Sequence, residues 1–529
     1  MCIRDSSFAA QASEGFRCDL TAEAEWLTTD RAQLALPKGQ RSDTLWTKAA
    51  SQIPGLLKKG EHLSAIALLK RLWPRRFTAE LGTTLDIDVQ RYVVSTHTMA
   101  LATSLENFID TDAGARVPAD LRAKATTPTA LPRRLMKKLV GKSAETRDLA
   151  RCLPAWLDAA EDEERAARRL ASADFLDAKP EAYYAFILMD GDRMGAWLSG
   201  TSADNNADYS LPYASTWHPR IRAAAAQKFP ALKPYLEARR PVSPARHMAI
   251  SAALNDFALH LARHVVEDLC KGKLIYAGGD DVLAMVSVDD LLRCLWLLRL
   301  AYSGIWPEQG AALTHLLKLD GERNMAKLKR GHALFDKRLL RLMGEKATAS
   351  AGAVVAHHQT PLARVLRELR ATEQRAKTEG GRDAFSINLL KRSGGAVQLT
   401  LPWLAPGADW HAALQGDLAD APAALLLGLR DCFAGDTSRR AAYLTQGWLE
   451  DLPTARQVGA DTLRELLAVN LARQLQRQGG EAAAALGKRL ATLACALDPD
   501  HPAGTIRDTL AVAEFLAREG RSARQEDRA

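Results

Sequence analysis

The stretch Lys273–Val286, KLIYAGGDDVLAMV, decides the fold. Two short apolar runs, Lys273–Tyr276 and Val282–Val286, flank Ala277-Gly278-Gly279-Asp280-Asp281, and a glycine pair in that position predicts a β-hairpin because glycine takes the backbone angles a tight turn demands. Upstream, Tyr183–Met189 reads YYAFILM and ends in Asp190-Gly191-Asp192, the pattern of a buried strand that delivers a loop. A polar insertion, Gly200–Pro244, and a long helix, Ala249–Leu269, separate the two. Downstream come a helix from Asp289 to about Ala301, a basic segment and a strand over Ser350–Ala356. A helix follows over Leu362–Lys377, with Leu362, Val365, Leu366 and Leu369 on one face, and closes at Gly380-Gly381. Strands over Asp383–Leu389 and Ala396–Leu401 complete the series. This alternation predicts a mixed α/β (α+β) domain over 181–402 with one helical layer.

The flanks read as helical. From Cys18 to about Val140 the pattern includes Leu63–Leu72 and the basic stretch Arg133–Lys138, and Glu161–Leu170 reads as a charged helix. Beyond Trp403, helices are predicted over Ala421–Leu429, Asp461–Gln474 and Ala482–Leu497, before a charged tail, Arg518–Ala529. The expected organisation is a helical region 1–180, the sheet domain 181–402 and a helical domain 403–529.

Of 529 residues, 71 are Lys or Arg and 63 Asp or Glu, a formal charge of +8, with 47% hydrophobic and 25% charged residues. That composition excludes disordered and fibrous classes, and the mild charge permits a nucleic-acid partner without demanding one. Apolar runs are broken by basic residues, as in Leu291–Tyr302 with Arg293 and Arg299, so no segment supplies the ~20 apolar residues a membrane span needs. Seven scattered cysteines do not form a disulfide framework, and Met1–Arg17 lacks the features of a secretory signal, so a soluble, cytoplasmic protein is expected.

Asp190, Asp280 and Asp281 each fall at a strand end or tight turn. If the first strand lies beside the hairpin, the three carboxylates converge on one or two divalent cations, because hard ions such as Mg²⁺ take oxygen ligands and keep places for water and phosphate. Such a site handles nucleoside triphosphates. A solvated turn is the competing reading, and it leaves the separate Asp-Gly-Asp unexplained. A calcium loop counted from Asp190 fails because Met194 and Thr201 stand where an oxygen ligand and a bidentate Glu are needed. Neighbours on a regular strand face opposite ways, so Asp280 and Asp281 bind one metal together only if the turn bends between them; otherwise one contacts a nucleotide or a second ion.

Phe186–Gly195 (FILMDGDRMG), Lys273–Val286, Ser350–Leu362 (SAGAVVAHHQTPL) and Ala376–Phe385 (AKTEGGRDAF) together resemble the large, polymerase-like subunit of type III-B CRISPR effector complexes. The resemblance is specific over 181–402 and weaker in the flanks. It implies a ferredoxin-like palm related to nucleotide cyclases, and synthesis of cyclic oligoadenylates from ATP when guide RNA has captured a target RNA within a multi-subunit ribonucleoprotein. By position it implies metal ligation and catalysis by Asp190, Asp280 and Asp281 with Mg²⁺ (or Mn²⁺), and triphosphate binding by Lys377 and Arg382. Offsetting the dipole of a helix C-terminus is an equal alternative for those two cations. Gly278 and Gly279 would let the backbone approach the nucleotide, and Ser350 would approach the base or phosphate. A non-catalytic scaffold that holds RNA and partner subunits, and a free-standing dinucleotide cyclase, are the rival expectations.

The sequence also departs from that family. Where a four-cysteine zinc module is expected, only Cys18 remains, with Thr21, Ser64 and Ala67 at the other positions, so no structural zinc is predicted there. No His is followed by Asp, no room precedes Cys18 for a nuclease domain or first palm, and the chain is expected to be N-terminally truncated. Gly141-Lys142-Ser143 lacks the upstream glycine and strand of a phosphate loop. His357-His358 can ligate metal, yet the sequence shows no adjacent acidic or Cys partner, which favours a structural role. Arg323–Lys346 interleaves eight Lys/Arg with Leu328, Leu334, Phe335, Leu339 and Leu342, and reads equally as a solvated amphipathic face or an RNA or protein surface.

Overall fold

The computed structural model describes residues 45–52, 62–85, 93–160, 180–200, 217–240, 242–306, 331–408, 421–435 and 437–520, with shorter pieces between them. The chain divides into two compact units, one drawn from 1–93 with 360–367 and the other from 94–359 with 368–529.

The second unit holds the strands: β1 Tyr183–Gly191, β2 Gly272–Gly278, β3 Asp281–Ser287, β4 Lys327–Lys329, β5 His332–Phe335, β6 Arg338–Arg341, β7 Ala349–His357, β8 Ala384–Leu390 and β9 Ala396–Pro402. Six of them form one sheet in the order β2-β3-β1-β7-β8-β9. β1 runs antiparallel to both β3 and β7, and β7 runs parallel to β8. Its apolar run makes β1 the strand that can be sandwiched on all sides, and it takes the centre. The core β1–helix–β2–β3–helix–β7, with β1 between β3 and β7, is the ferredoxin-like arrangement that the resemblance implies.

The helices used below are α1 Thr96–Ala100, α2 Ala144–Asp158, α3 Pro244–Asp256, α4 Leu291–Ser303, α5 Leu362–Thr378, α6 Pro422–Ala434, α7 Ala460–Leu497 and α8 Pro502–Gly520. α3 continues as π-helical turns over Phe257–Ala262 and His264–Leu269, which fills the predicted 249–269 helix. α7 is broken at Gly480, with φ 75°, at the gap the sequence leaves between its two predicted helices.

Alternation along the strands sorts the two faces. Ala185, Ile187 and Met189 of β1 and Ala351, Ala353 and Val355 of β7 share a core with Trp296, Leu297 and Leu300 of α4. The opposite face carries α5, and Gly352 is what admits it: a Cβ there would lie 2.3 Å from the backbone nitrogen of Glu373. Helices therefore cover both faces, not one. The parallel β7–β8 pair requires a crossover, and α5 supplies it.

The basic segment, to which the sequence reading assigns no element, folds as strands. Within its described part, β4, β5 and β6 form a three-stranded antiparallel sheet that buries Leu328, Ala333 and Leu340 and exposes Leu334 and Leu339. A period of two sets which leucines face inward. The charged helix predicted over 161–170 lies outside the described residues except at Ala166 and Leu170, and 521–529 of the predicted tail lies outside them too.

In the first unit, Cys18, Trp46, Leu57, Leu63 and Ala67 form a small apolar core, and Trp26 stacks on His62 at 3.9 Å. Ser64 accepts a hydrogen bond from the Ala67 N–H at 3.3 Å and opens the helix Ala65–Leu85. Thr21 lies outside the described residues. Among the described residues no helix is long and apolar enough to cross a membrane.

Candidate active site

The β1–β3 register ends at Met189 opposite Val282, so one further step sets Asp190 against Asp281. Gly278 pairs with Asp281 across the hairpin, and Gly279 turns the chain with φ +67° and open space around it. Asp280 thus sits in the turn and escapes strand alternation. It folds over the end of β1 because Gly191 has no side chain: a Cβ there would meet the Tyr302 hydroxyl at 2.3 Å and the Asp280 Cβ at 2.9 Å. The bend that the sequence reading required between Asp280 and Asp281 is present.

The three carboxylates meet. Burial pushes the Asp280 carboxyl up to about 6, helped by the charge of Asp190. Burial and a shared hydrogen bond with Asp190 push Asp281 up to about 7. Like charges this close resist ionising together, because full ionisation would leave the cluster more negative than its surroundings neutralise. A divalent cation is the group that removes such a conflict, and three aspartate oxygens at strand ends fit a hard one.

Lys377, on the last turn of α5, ion-pairs with Asp190 and with Glu373, the latter at 2.6 Å. Burial works against its charge, but these two carboxylates raise its pKa nonetheless. In the structure its partner is therefore the site itself. Gly352 matters here as well, since α5 could not lie close enough for Lys377 to reach β1 without it.

Asp192, two residues beyond Asp190, is buried and accepts hydrogen bonds from Ser350 Oγ at 2.7 Å, Thr348 Oγ1 at 2.8 Å and the Asp383 N–H at 3.0 Å. Ser350 is fully buried with its hydroxyl committed to Asp192, so the expected approach to base or phosphate gives way to positioning of the loop after β1. Asp383 is gripped in turn by Arg299, whose Nε donates at 2.8 Å and whose guanidinium lies 4.8 Å over the Trp410 ring. This chain of contacts fixes the loop that carries Arg382. Arg382 is exposed with φ 71° and, with Arg193 and Lys346, lines a cavity of about 420 Å³ that also includes Asp192, Thr348 and Asp383. A cavity with three cations at its rim, next to a carboxylate cluster, can take a polyanion whose charge a metal also shares.

Sequence reading missed Asp192, Glu373, Asp383, Arg299 and Tyr302. Asp192 stood within the quoted Asp-Gly-Asp, and Arg299 interrupted an otherwise apolar helix, a signal that a buried cation has a partner to find.

A carboxylate cluster at a hairpin beside the central strand of a ferredoxin-like sheet defines a palm domain with a nucleotide-cyclase-like fold. Comparison with known proteins narrows it: the family described as Cas10/Cmr2, second palm domain, matches residues 183–316 and 322–386 of this chain. The CRISPR system Cmr subunit Cmr2 of Pyrococcus furiosus is 32% identical over 237 residues, covering 44% of this chain and 22% of that protein. The CRISPR system CMR subunit Cmr2 of Saccharolobus solfataricus is 44% identical over 69 residues, 13% of this chain and 6% of that one. Among solved structures, a chain of the type III-B Cmr-beta complex bound to cognate target RNA matches with TM-score 0.59 and 17% identity, over 82% of this chain and 49% of that one. The apo state of Cmr-beta matches with TM-score 0.55 and 16% identity, over 82% and 48%. The chain thus spans about half the length of these solved relatives and less than a quarter of the curated ones.

Proposed function

We propose that this chain is the nucleotidyl-transferring subunit of an RNA-guided antiviral complex and that its palm joins ATP into cyclic oligoadenylates once target RNA is bound. The observation that carries the reading is the meeting of Asp190, Asp280 and Asp281, where burial and the neighbouring Asp190 push the carboxyl pKa values of Asp280 and Asp281 up to about 6 and 7. These residues would hold one or two Mg²⁺ or Mn²⁺ ions, which when bound neutralise the triphosphate and acidify an attacking ribose hydroxyl. Arg382, Arg193 and Lys346 bind phosphate oxygens at the cavity rim, and Lys377 supplies a further positive charge beside Asp190. Gly279, with open space around it, leaves room for the nucleotide, while Gly278 lies under the Tyr276 hydroxyl, 2.3 Å from where a Cβ would stand. The 3′-hydroxyl oxygen of one nucleotide forms a bond to the α-phosphorus of the next, the bond to pyrophosphate breaks, and the hydroxyl proton leaves to solvent.

Guide RNA, target RNA and the other effector subunits are the proposed partners, a reading supported by the target-RNA-bound state of the Cmr-beta relative. The test is the assembled complex with ATP, Mg²⁺ and matching target RNA. Cyclic oligoadenylates should form, and Asp280→Asn with Asp281→Asn should abolish them; undiminished product from the double variant would remove the assigned chemistry. A purely architectural subunit would instead show no calorimetric binding of ATP with Mg²⁺.

A further inference from the structure

His357 and His358 stand at the end of β7, and the fold brings to them the acidic partner that the local sequence lacks. Ligand atoms of His97, Asp158 and His358 all lie within 4.8 Å of one another. His97 comes from α1, Asp158 is the last residue of α2, and His358 follows β7, so three separate elements converge. Both imidazoles are buried, their rings 4.4 Å apart, while Asp158 is exposed. His97 Nδ1 lies 3.2 Å from the Pro154 carbonyl, and donation there leaves Nε2 with its lone pair, the arrangement by which proteins orient a metal-binding imidazole. The backbone of His358 is pinned on both sides: its N–H donates to Ala182 O at 2.8 Å and its carbonyl accepts from Thr96 Oγ1 at 3.2 Å. His357 is differently engaged, with Nδ1 accepting from the Gln359 N–H and Nε2 facing Arg392, each at 3.2 Å.

Asp158 and His357 also line a cavity of about 1870 Å³, which opens the cluster to solvent and leaves room for water ligands. We propose that His97, Asp158 and His358 bind one divalent transition ion of the zinc class, with solvent completing its coordination. Two imidazoles and one carboxylate suit that class, whereas Mg²⁺ prefers oxygen throughout. Tetrahedral zinc with bonds of about 2.0–2.1 Å sets its ligand atoms about 3.4 Å apart, a closure that side-chain rotation supplies. The ion would tie α1 and α2 to the end of β7, the strand whose other end carries Ser350.

The test is a Co²⁺ titration of the full chain carrying Asp280→Asn and Asp281→Asn, so that the palm carboxylates do not compete. One equivalent should bind with visible d–d absorption and no thiolate charge-transfer band, and Zn²⁺ should displace it. His358→Gln and Asp158→Asn should each weaken binding at least ~10-fold, while Cys18→Ser leaves it unchanged. Asp158 is exposed, so its amide variant folds and keeps the test decisive even where a histidine variant does not. Absence of binding at about 100 µM Co²⁺, undiminished affinity in Asp158→Asn, or a thiolate band would each overturn the proposal.

Discussion

Around Lys271, three carboxylates close on one fully buried ammonium: Glu106 at 3.0 Å, Asp289 at 3.0 Å and Asp290 at 3.1 Å. Around Lys377, Asp190 and Glu373 do the same, but Asp280 and Asp281 crowd in against Asp190. In the first cluster Glu106 also meets Lys138 at 2.8 Å and Arg134 at 3.2 Å. Burial would raise its pKa, and these three cations outweigh burial and hold it far below the usual carboxylate range. In the second cluster Asp280 and Asp281 move upward, because burial and the adjacent acids outweigh the one lysine nearby. A balanced cluster stabilises the fold; an overcharged one at a strand end is, on the function proposed above, the place for a cation. On that proposal, charge count around a lysine separates structural from functional acids where residue type does not.

The sharpest way to break this contrast is Asp280→Asn with Asp281→Asn. It should lower nucleotidyl transfer by on the order of 10⁴-fold, about 5.5 kcal/mol of barrier, while leaving the metal-free chain as stable to urea as before or more so. A loss of stability in that variant would place these acids with the structural ones. Next, Lys271→Met strips the cation from three buried carboxylates and should cost about 3–5 kcal/mol in denaturant midpoint analysis, with Lys377→Met costing less because its site is partly open.

The pH dependence should run in opposite directions in the two clusters. Asp280 and Asp281 are raised to about 6 and 7, so the folded chain keeps protons that the unfolded chain has released. Their contribution falls as pH rises from about 4 to about 7 and is level above that, and Mg²⁺ should flatten the slope. Glu106 is depressed, so its contribution is present above its ordinary value of 4.5 and is lost as pH falls below it. Melting curves of Glu106→Gln and of the double Asn variant, taken from pH 4 to 8, should each lose one of these slopes. Identical profiles for both would refute the distinction. The smallest effect is expected of Ser350→Ala, which removes one of three donors from buried Asp192 and should cost about 1–2 kcal/mol, with a modest drop in activity.

Much of the palm was legible. The YYAFILM run, the Gly-Gly turn and the later apolar runs marked every strand of the large sheet, most plainly β1, β7 and β8, where burial on both faces imposes continuous apolar sequence. The helical layer of α5 on the second face was not legible, since its admission rests on Gly352 lying beneath Glu373, a contact between segments that no local pattern reports. The short β4–β6 sheet was missed because three- and four-residue strands leave too few alternations to outweigh their basic charge. The Ser350 hydroxyl donates to Asp192, a contact not legible in the sequence, since a serine on a strand does not announce which acid it meets.

What the sequence alone determined is local: which runs are buried strands, where the turn must bend, and that Asp190, Asp280 and Asp281 sit where strands end. Those follow from side-chain chemistry and backbone angles over a few residues. Only the tertiary structure decided how charges combine, bringing Lys377 across from α5 to Asp190, stacking Arg299, Asp383 and Asp192 in sequence, and gathering His97, Asp158 and His358 from three elements. Electrostatic interaction depends on distance through space and on exclusion of water, and neither is written in the order of the residues.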